Sequence, residues 1–66
     1  MHIEILLRSV REKKGITLTK LAEKSGVSKT HINDIENYVK SPSLLVMVKL
    51  AKALNVDINE LYKVKW

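Results

Sequence analysis

Residues 21–36 read LAEKSGVSKTHINDIE, and the glycine in their middle decides what they can become. On either side of it the apolar residues keep helical spacing, Leu21 and Ala22 before it, Ile32 and Ile35 after it. Gly26 breaks that rhythm with the residue type that most readily takes a left-handed backbone and so ends a helix. Two positions on, Ser28 is an N-cap type, whose hydroxyl accepts from a free amide of a new helix. Gly26, Val27 and Ser28 are therefore a tight corner between two helices. Ala22 suits that corner, because helices that cross steeply need a small side chain where they touch.

The corner has the spacing of a helix-turn-helix over about 18–37. The rest of the chain reads in the same way. With 66 residues and no cysteine, it is expected to form one domain, 1–66, without disulfide or thiolate support. Such a chain needs a compact core, which favours helices over a sheet with open edges. Ile3, Leu6, Leu7 and Val10 place a first helix over 3–14, ended at Gly15. Thr17 caps a second over 18–25, and Ser28 a third over 29–37. Pro42-Ser43 opens a fourth over 44–54, with Leu44, Met47, Val48, Leu50, Ala51 and Leu54 on one side. Asp57 and Glu60 have capping-box spacing and open a short fifth over 58–62. The expected fold is all-α, with five helices and no strand. Leu45 and Val46 lie off the core side of the fourth helix. The tail LYKVKW is expected either to cover them or, with Trp66, to join them in a self-association surface.

Twelve Lys and Arg against 7 Asp and Glu give a formal charge of +5, which points to a polyanion, nucleic acid before an acidic membrane surface. No segment is long and apolar enough to span a bilayer, and the first residues lack a signal peptide's basic region and cleavage site. A cytoplasmic location follows as the expectation. His2 and His31 have no metal-ligand spacing, and no nucleophile-plus-base grouping or glycine-rich phosphate loop is visible. No metal, cofactor or catalysis is therefore expected. Viewed down the third helix, Lys29, Thr30, Asn33, Asp34 and Asn37 fall within an arc of about 140°, and Ile32 and Ile35 fall opposite. These are hydrogen-bonding side chains with no large apolar group among them. Lysine can donate to guanine, asparagine can pair with adenine, threonine can offer a hydroxyl or methyl, and aspartate can accept from cytosine.

The elements REKKGIT, LAEKSGVS, INDIE and PSLLVMVKLAKALNVDINEL, in that order, resemble the Cro/phage-repressor (XRE) family of helix-turn-helix proteins across Leu6 to Leu61. The resemblance implies a lambda-repressor-like five-helix domain that puts its third helix into the major groove of double-stranded DNA. On that basis Lys29, Thr30, Asn33 and Asp34 read bases. Ser28, Asn37 and Lys40 contact the DNA backbone, with Thr17 or Thr19 supplying a hydroxyl nearby. Arg11 and Glu36 form a structural ion pair between the first and third helices. Three positions depart from the family pattern. Leu18 stands where glutamine is common, leaving only backbone N–H groups at that helix start to meet a phosphate. Ser25 takes a usually apolar place. Tyr38 stands where glycine is frequent. A left-handed tyrosine is strained, so Asn37 is expected to take that conformation or the helix to end differently. Tyr38 would then be free to lie on the sugar–phosphate backbone.

The function these features imply is a sequence-specific transcriptional regulator, expected to repress as a homodimer on a palindromic site, with Leu45, Val46 and Trp66 as the candidate dimer surface. The alternative is an adaptor or antitoxin-like protein whose ligand is another protein, bound through the apolar surface of the fourth helix and the tail.

Overall fold

A computed structural model describes all 66 residues. The chain runs as strand β1 (His2–Ile5), helices α1 (Leu7–Lys13), α2 (Leu18–Ser25), α3 (Lys29–Glu36) and α4 (Leu44–Leu54), a single 3₁₀ turn (Ile58–Glu60), and strand β2 (Tyr62–Lys65). The three middle helices begin where their caps dictate. The hydroxyls of Thr17, Ser28 and Ser43 each accept a backbone N–H of the new helix at 3.1 Å. Helix α2 ends at Gly26, whose φ of 75° lets its N–H return to the Ala22 carbonyl at 3.0 Å.

One core joins these elements. Leu7, Leu21, Val27, Ile32, Ile35, Met47, Leu50, Ala51, Leu54 and Leu61 are buried together. Four of them come from α4, which forms the floor against which α2 packs. Val27 fills the corner between α2 and α3, and Ile32 and Ile35 pin α3 by the side opposite its polar residues. Burying a Leu or Ile side chain stabilises by about 1.5–3 kcal/mol. A domain of this length retains only about 3–10 kcal/mol in all. The orientation of α3 therefore rests on a handful of side chains.

The two chain ends correct the all-α, five-helix expectation. Residues 2–5 are a strand and not the start of the first helix, which is confined to Leu7–Lys13. The expected fifth helix is one 3₁₀ turn, and Tyr62–Lys65 pairs antiparallel with β1. In that ribbon Ile3 lies opposite Val64 and Ile5 opposite Tyr62 on one face, while His2 and Glu4 lie opposite Lys65 and Lys63 on the other. Lys65 Nζ comes within 3.6 Å of Glu4 Oε1 on the second face. The alternation of His2-Ile3-Glu4-Ile5 has period two, and β-branched isoleucine favours the pleated form once a partner strand is available. The Leu6 N–H donates to the Leu61 carbonyl at 2.8 Å, closing the ribbon onto the helices.

The tail is thus spent on β1 and does not cover α4. Leu45 remains exposed, and so do Leu44 and Val48, which helical spacing alone places on the core side. Val46 is half-buried against the core, and Trp66 is 94% exposed.

Candidate nucleic-acid interface

Helix α3 leaves Lys29, Thr30 and Asn33 exposed and Asp34 partly so, on the side away from buried Ile32 and Ile35. Thr17 and Thr19 are exposed at the start of α2, Ser28 at the start of α3, and Lys40 in the loop after α3. The Thr17 and Ser28 oxygens accept capping amides, which leaves each hydroxyl hydrogen free to donate to a phosphate. Leu18 is half-buried against the core and offers no polar side chain.

Below this face lies a buried ionic clamp. Glu36 is the only buried charged residue, its side chain 1% exposed. Arg11 Nε donates to Glu36 Oε2 at 2.7 Å and Nη2 to Oε1 at 3.1 Å, a two-pronged pair joining α1 to the end of α3. Arg11 Nη1 also donates to the Ile16 carbonyl at 2.9 Å, fixing the connection between α1 and α2. The hydrogen bond to Glu36 pushes the Arg11 pKa above the ordinary arginine value, with burial opposing it. A base whose pKa is raised on folding stabilises the fold at every pH below its unfolded pKa, so this contribution persists across the neutral range.

One residue outside the sequence-derived set joins this clamp. Arg8 donates from Nε to Glu36 Oε1 at 3.4 Å and from Nη2 to Asn37 Oδ1 at 2.8 Å. Its spacing of three from Arg11 puts the two on one flank of α1, a signal that the sequence carried. Asn37, expected at the DNA backbone, turns its Nδ2 along α3 to Asn33, donating to the carbonyl at 2.9 Å and to Oδ1 at 3.2 Å. Tyr38, one of the departures from the family pattern, lies just beyond the end of α3. It takes the left-handed conformation itself, with φ of 61°, in place of Asn37. Its hydroxyl accepts from the Ile5 N–H at 2.9 Å and donates to the Ile5 carbonyl at 3.4 Å. The ring is therefore tied to the edge of β1, an anchor that holds the strained backbone. Next to it, the Asp34 carbonyl accepts from Val39 N–H at 2.8 Å and Lys40 N–H at 3.4 Å, which folds the loop back on α3. Ser25 serves the corner, its hydroxyl accepting the Val27 N–H at 3.1 Å.

A helix-turn-helix family model matches residues 7–61, from the first residue of α1 to the last core leucine. The chain belongs to the Cro/C1-type (XRE) helix-turn-helix family. Within this XRE family it is 39% identical over 56 residues to an uncharacterised HTH-type transcriptional regulator of Mycobacterium tuberculosis (strain ATCC 25618 / H37Rv), covering 85% of this chain and 40% of the relative. The chain thus spans less than half the length of that relative. Among solved structures, the restriction-modification controller protein C.AhdI from Aeromonas hydrophila matches with a TM-score of 0.79 and 33% identity, covering 82% of both chains. The N-terminal DNA-binding domain of SinR from Bacillus subtilis matches with a TM-score of 0.74 and 33% identity, covering 80% of this chain and 78% of that one. No helix of the chain is long and apolar enough to cross a membrane.

Proposed function

We propose that this chain binds double-stranded DNA sequence-specifically as a transcriptional regulator, laying α3 in the major groove. The observation that carries the reading is the division of α3. Its buried side is locked to the core and to Arg11, and its free side is a row of base-compatible groups. Lys29, Thr30 and Asn33 reach base edges, and Asp34 accepts from cytosine or excludes other bases. Thr17, Thr19, Ser28 and Lys40 hold phosphates on either side, aided by the free N–H groups that begin α2. The net charge of +5 favours the encounter.

One such module touches few phosphates, so a homodimer on a palindromic site is the expected working form, with half-sites spaced by about 34 Å. The exposed Leu45 and Trp66 remain available for that dimer, whereas Val46 contributes mainly to the core. Repression would follow from occupying the site in a cytoplasmic setting, with no cofactor needed. The same exposed apolar residues favour the second reading, an adaptor or antitoxin-like protein bound through α4 and the tail.

Selection of bound sites from random DNA at stated salt tests the proposal. A palindromic consensus whose binding weakens as salt rises supports it. A chain that selects no sequence and forms no salt-dependent complex in sedimentation belongs to the second reading.

A further inference from the structure

Asn33 does not stand alone on the face of α3. Arg8, on α1, has only donors to give, and its Nη2 donates to Asn37 Oδ1 at 2.8 Å. That contact fixes which way round the Asn37 amide lies, oxygen toward Arg8 and nitrogen toward the preceding turn of α3. Nδ2 then meets two acceptors of Asn33, the carbonyl at 2.9 Å and Oδ1 at 3.2 Å. The Asn33 amide is oriented in its turn, oxygen toward Asn37, with its own Nδ2 hydrogens left for a ligand. Every link runs from donor to acceptor, and the first group cannot accept. The chain therefore has one polarity. Its origin is steadied by Glu36, 3.4 Å from Arg8 Nε, which the Arg11 clamp holds in place.

We propose that Arg8 and Asn37 are positioning residues that set the amide orientation of Asn33, and through it the base pair selected at one position of the DNA site. The proposal rests on Asn33 contacting a base. Asn37 has its amide nitrogen committed to Asn33 and its oxygen to Arg8, so it offers no donor to a phosphate. Asn33 arrives with Nδ2 ready to donate and one Oδ1 lone pair still free, the pattern that complements adenine N7 and N6. Without the relay the amide rotates freely, and its ordering must be supplied during binding.

The test uses the site that the wild-type protein selects and its single-base-pair variants. Asn33→Ala first locates the position at which preference is lost. Asn37→Ala should lower the preference for the selected base by roughly three- to tenfold at that position alone. Binding to random DNA should be unchanged. Arg8→Ala should act likewise, and Arg8→Lys, which keeps a donor, should retain most of the preference. In the Asn33→Ala background, Asn37→Ala should remove nothing further. Circular dichroism and thermal unfolding establish that each variant is folded. An Asn37→Ala protein that binds every DNA more weakly to the same degree, with its effect intact in the Asn33→Ala background, makes Asn37 a phosphate contact and overturns the relay. If Asn33→Ala by itself changes preference nowhere, the base-reading role of Asn33 falls, and the relay with it.

Discussion

At the scale of single residues, the most consequential group is the Glu36 carboxylate. It is buried, and Arg11 supplies two of its hydrogen bonds. Removing one partner of a buried pair leaves an uncompensated charge, at about 3–5 kcal/mol. That is a large share of the about 3–10 kcal/mol that a domain of this length retains. Arg11→Ala is therefore expected to be strongly destabilised, read by thermal unfolding followed by circular dichroism, whereas Arg8→Ala, whose guanidinium is half-exposed, should stay near wild type. A folded and equally stable Arg11→Ala would mean that the clamp contributes little. Tyr38 presents the opposite case, a residue held in strain of about 1–2 kcal/mol by a distant partner. Tyr38→Phe should lower stability by about 1 kcal/mol, the net worth of the hydrogen bonds to Ile5, measured by urea unfolding.

At the scale of the element, α3 divides its residues between holding and reading. Lys29→Ala and Asn33→Ala should each lose the preference at the base pair that residue reads and weaken binding to the selected site, while circular dichroism and melting stay near wild type, because both side chains are exposed. An Asn33→Ala protein that bound the selected site as tightly as wild type would sink the assignment of α3 as the reading helix. The corner before α3 should answer differently. Gly26→Ala meets no clash, since nothing lies within 4 Å of the added carbon, so its cost is the left-handed backbone alone, about 1–2 kcal/mol. This scale is also where the sequence was most legible. The starts of α2, α3 and α4 at Leu18, Lys29 and Leu44 follow from Thr17, Ser28 and Ser43, because a cap and the amide it accepts are only a few residues apart. Within α3 the split between Ile32 and Ile35 and the polar residues is set by helical period and needs no tertiary information.

For the whole molecule, the question is what the domain does with the surface its core leaves over. The ribbon of β1 and β2 has an apolar face on which Ile5 and Val64 are only half-buried and Ile3 is exposed. Leu44, which lines one surface cavity with Ile3 and Ile5, is exposed too, as are Leu45, Val48 and Trp66. If Leu45 and Trp66 carry the dimer, Leu45→Lys with Trp66→Lys should shift sedimentation to the monomer and weaken binding to a two-half-site DNA far more than to a single half-site. Lys40 belongs to this scale too, because salt dependence counts phosphates over the whole contact. Lys40→Ala should weaken all DNA about equally and flatten the slope of log affinity against log salt by about one unit.

The amino-acid order alone determined what depends on neighbours: where the middle helices start, where Gly26 turns the chain, and which side of α3 stays polar. The motifs REKKGIT, LAEKSGVS, INDIE and PSLLVMVKLAKALNVDINEL also carried the resemblance to the family. The tertiary structure decided whatever needed partners far apart along the chain. His2-Ile3-Glu4-Ile5 fits either a helix start or a strand, and only the arrival of Tyr62–Lys65 from the other end makes the strand. The left-handed Tyr38 is anchored by Ile5, and Asn37 is oriented by Arg8, 29 positions away. Local preferences are worth tenths of a kcal/mol to about one per residue. Contacts formed across a closed core overrule them wherever the two disagree.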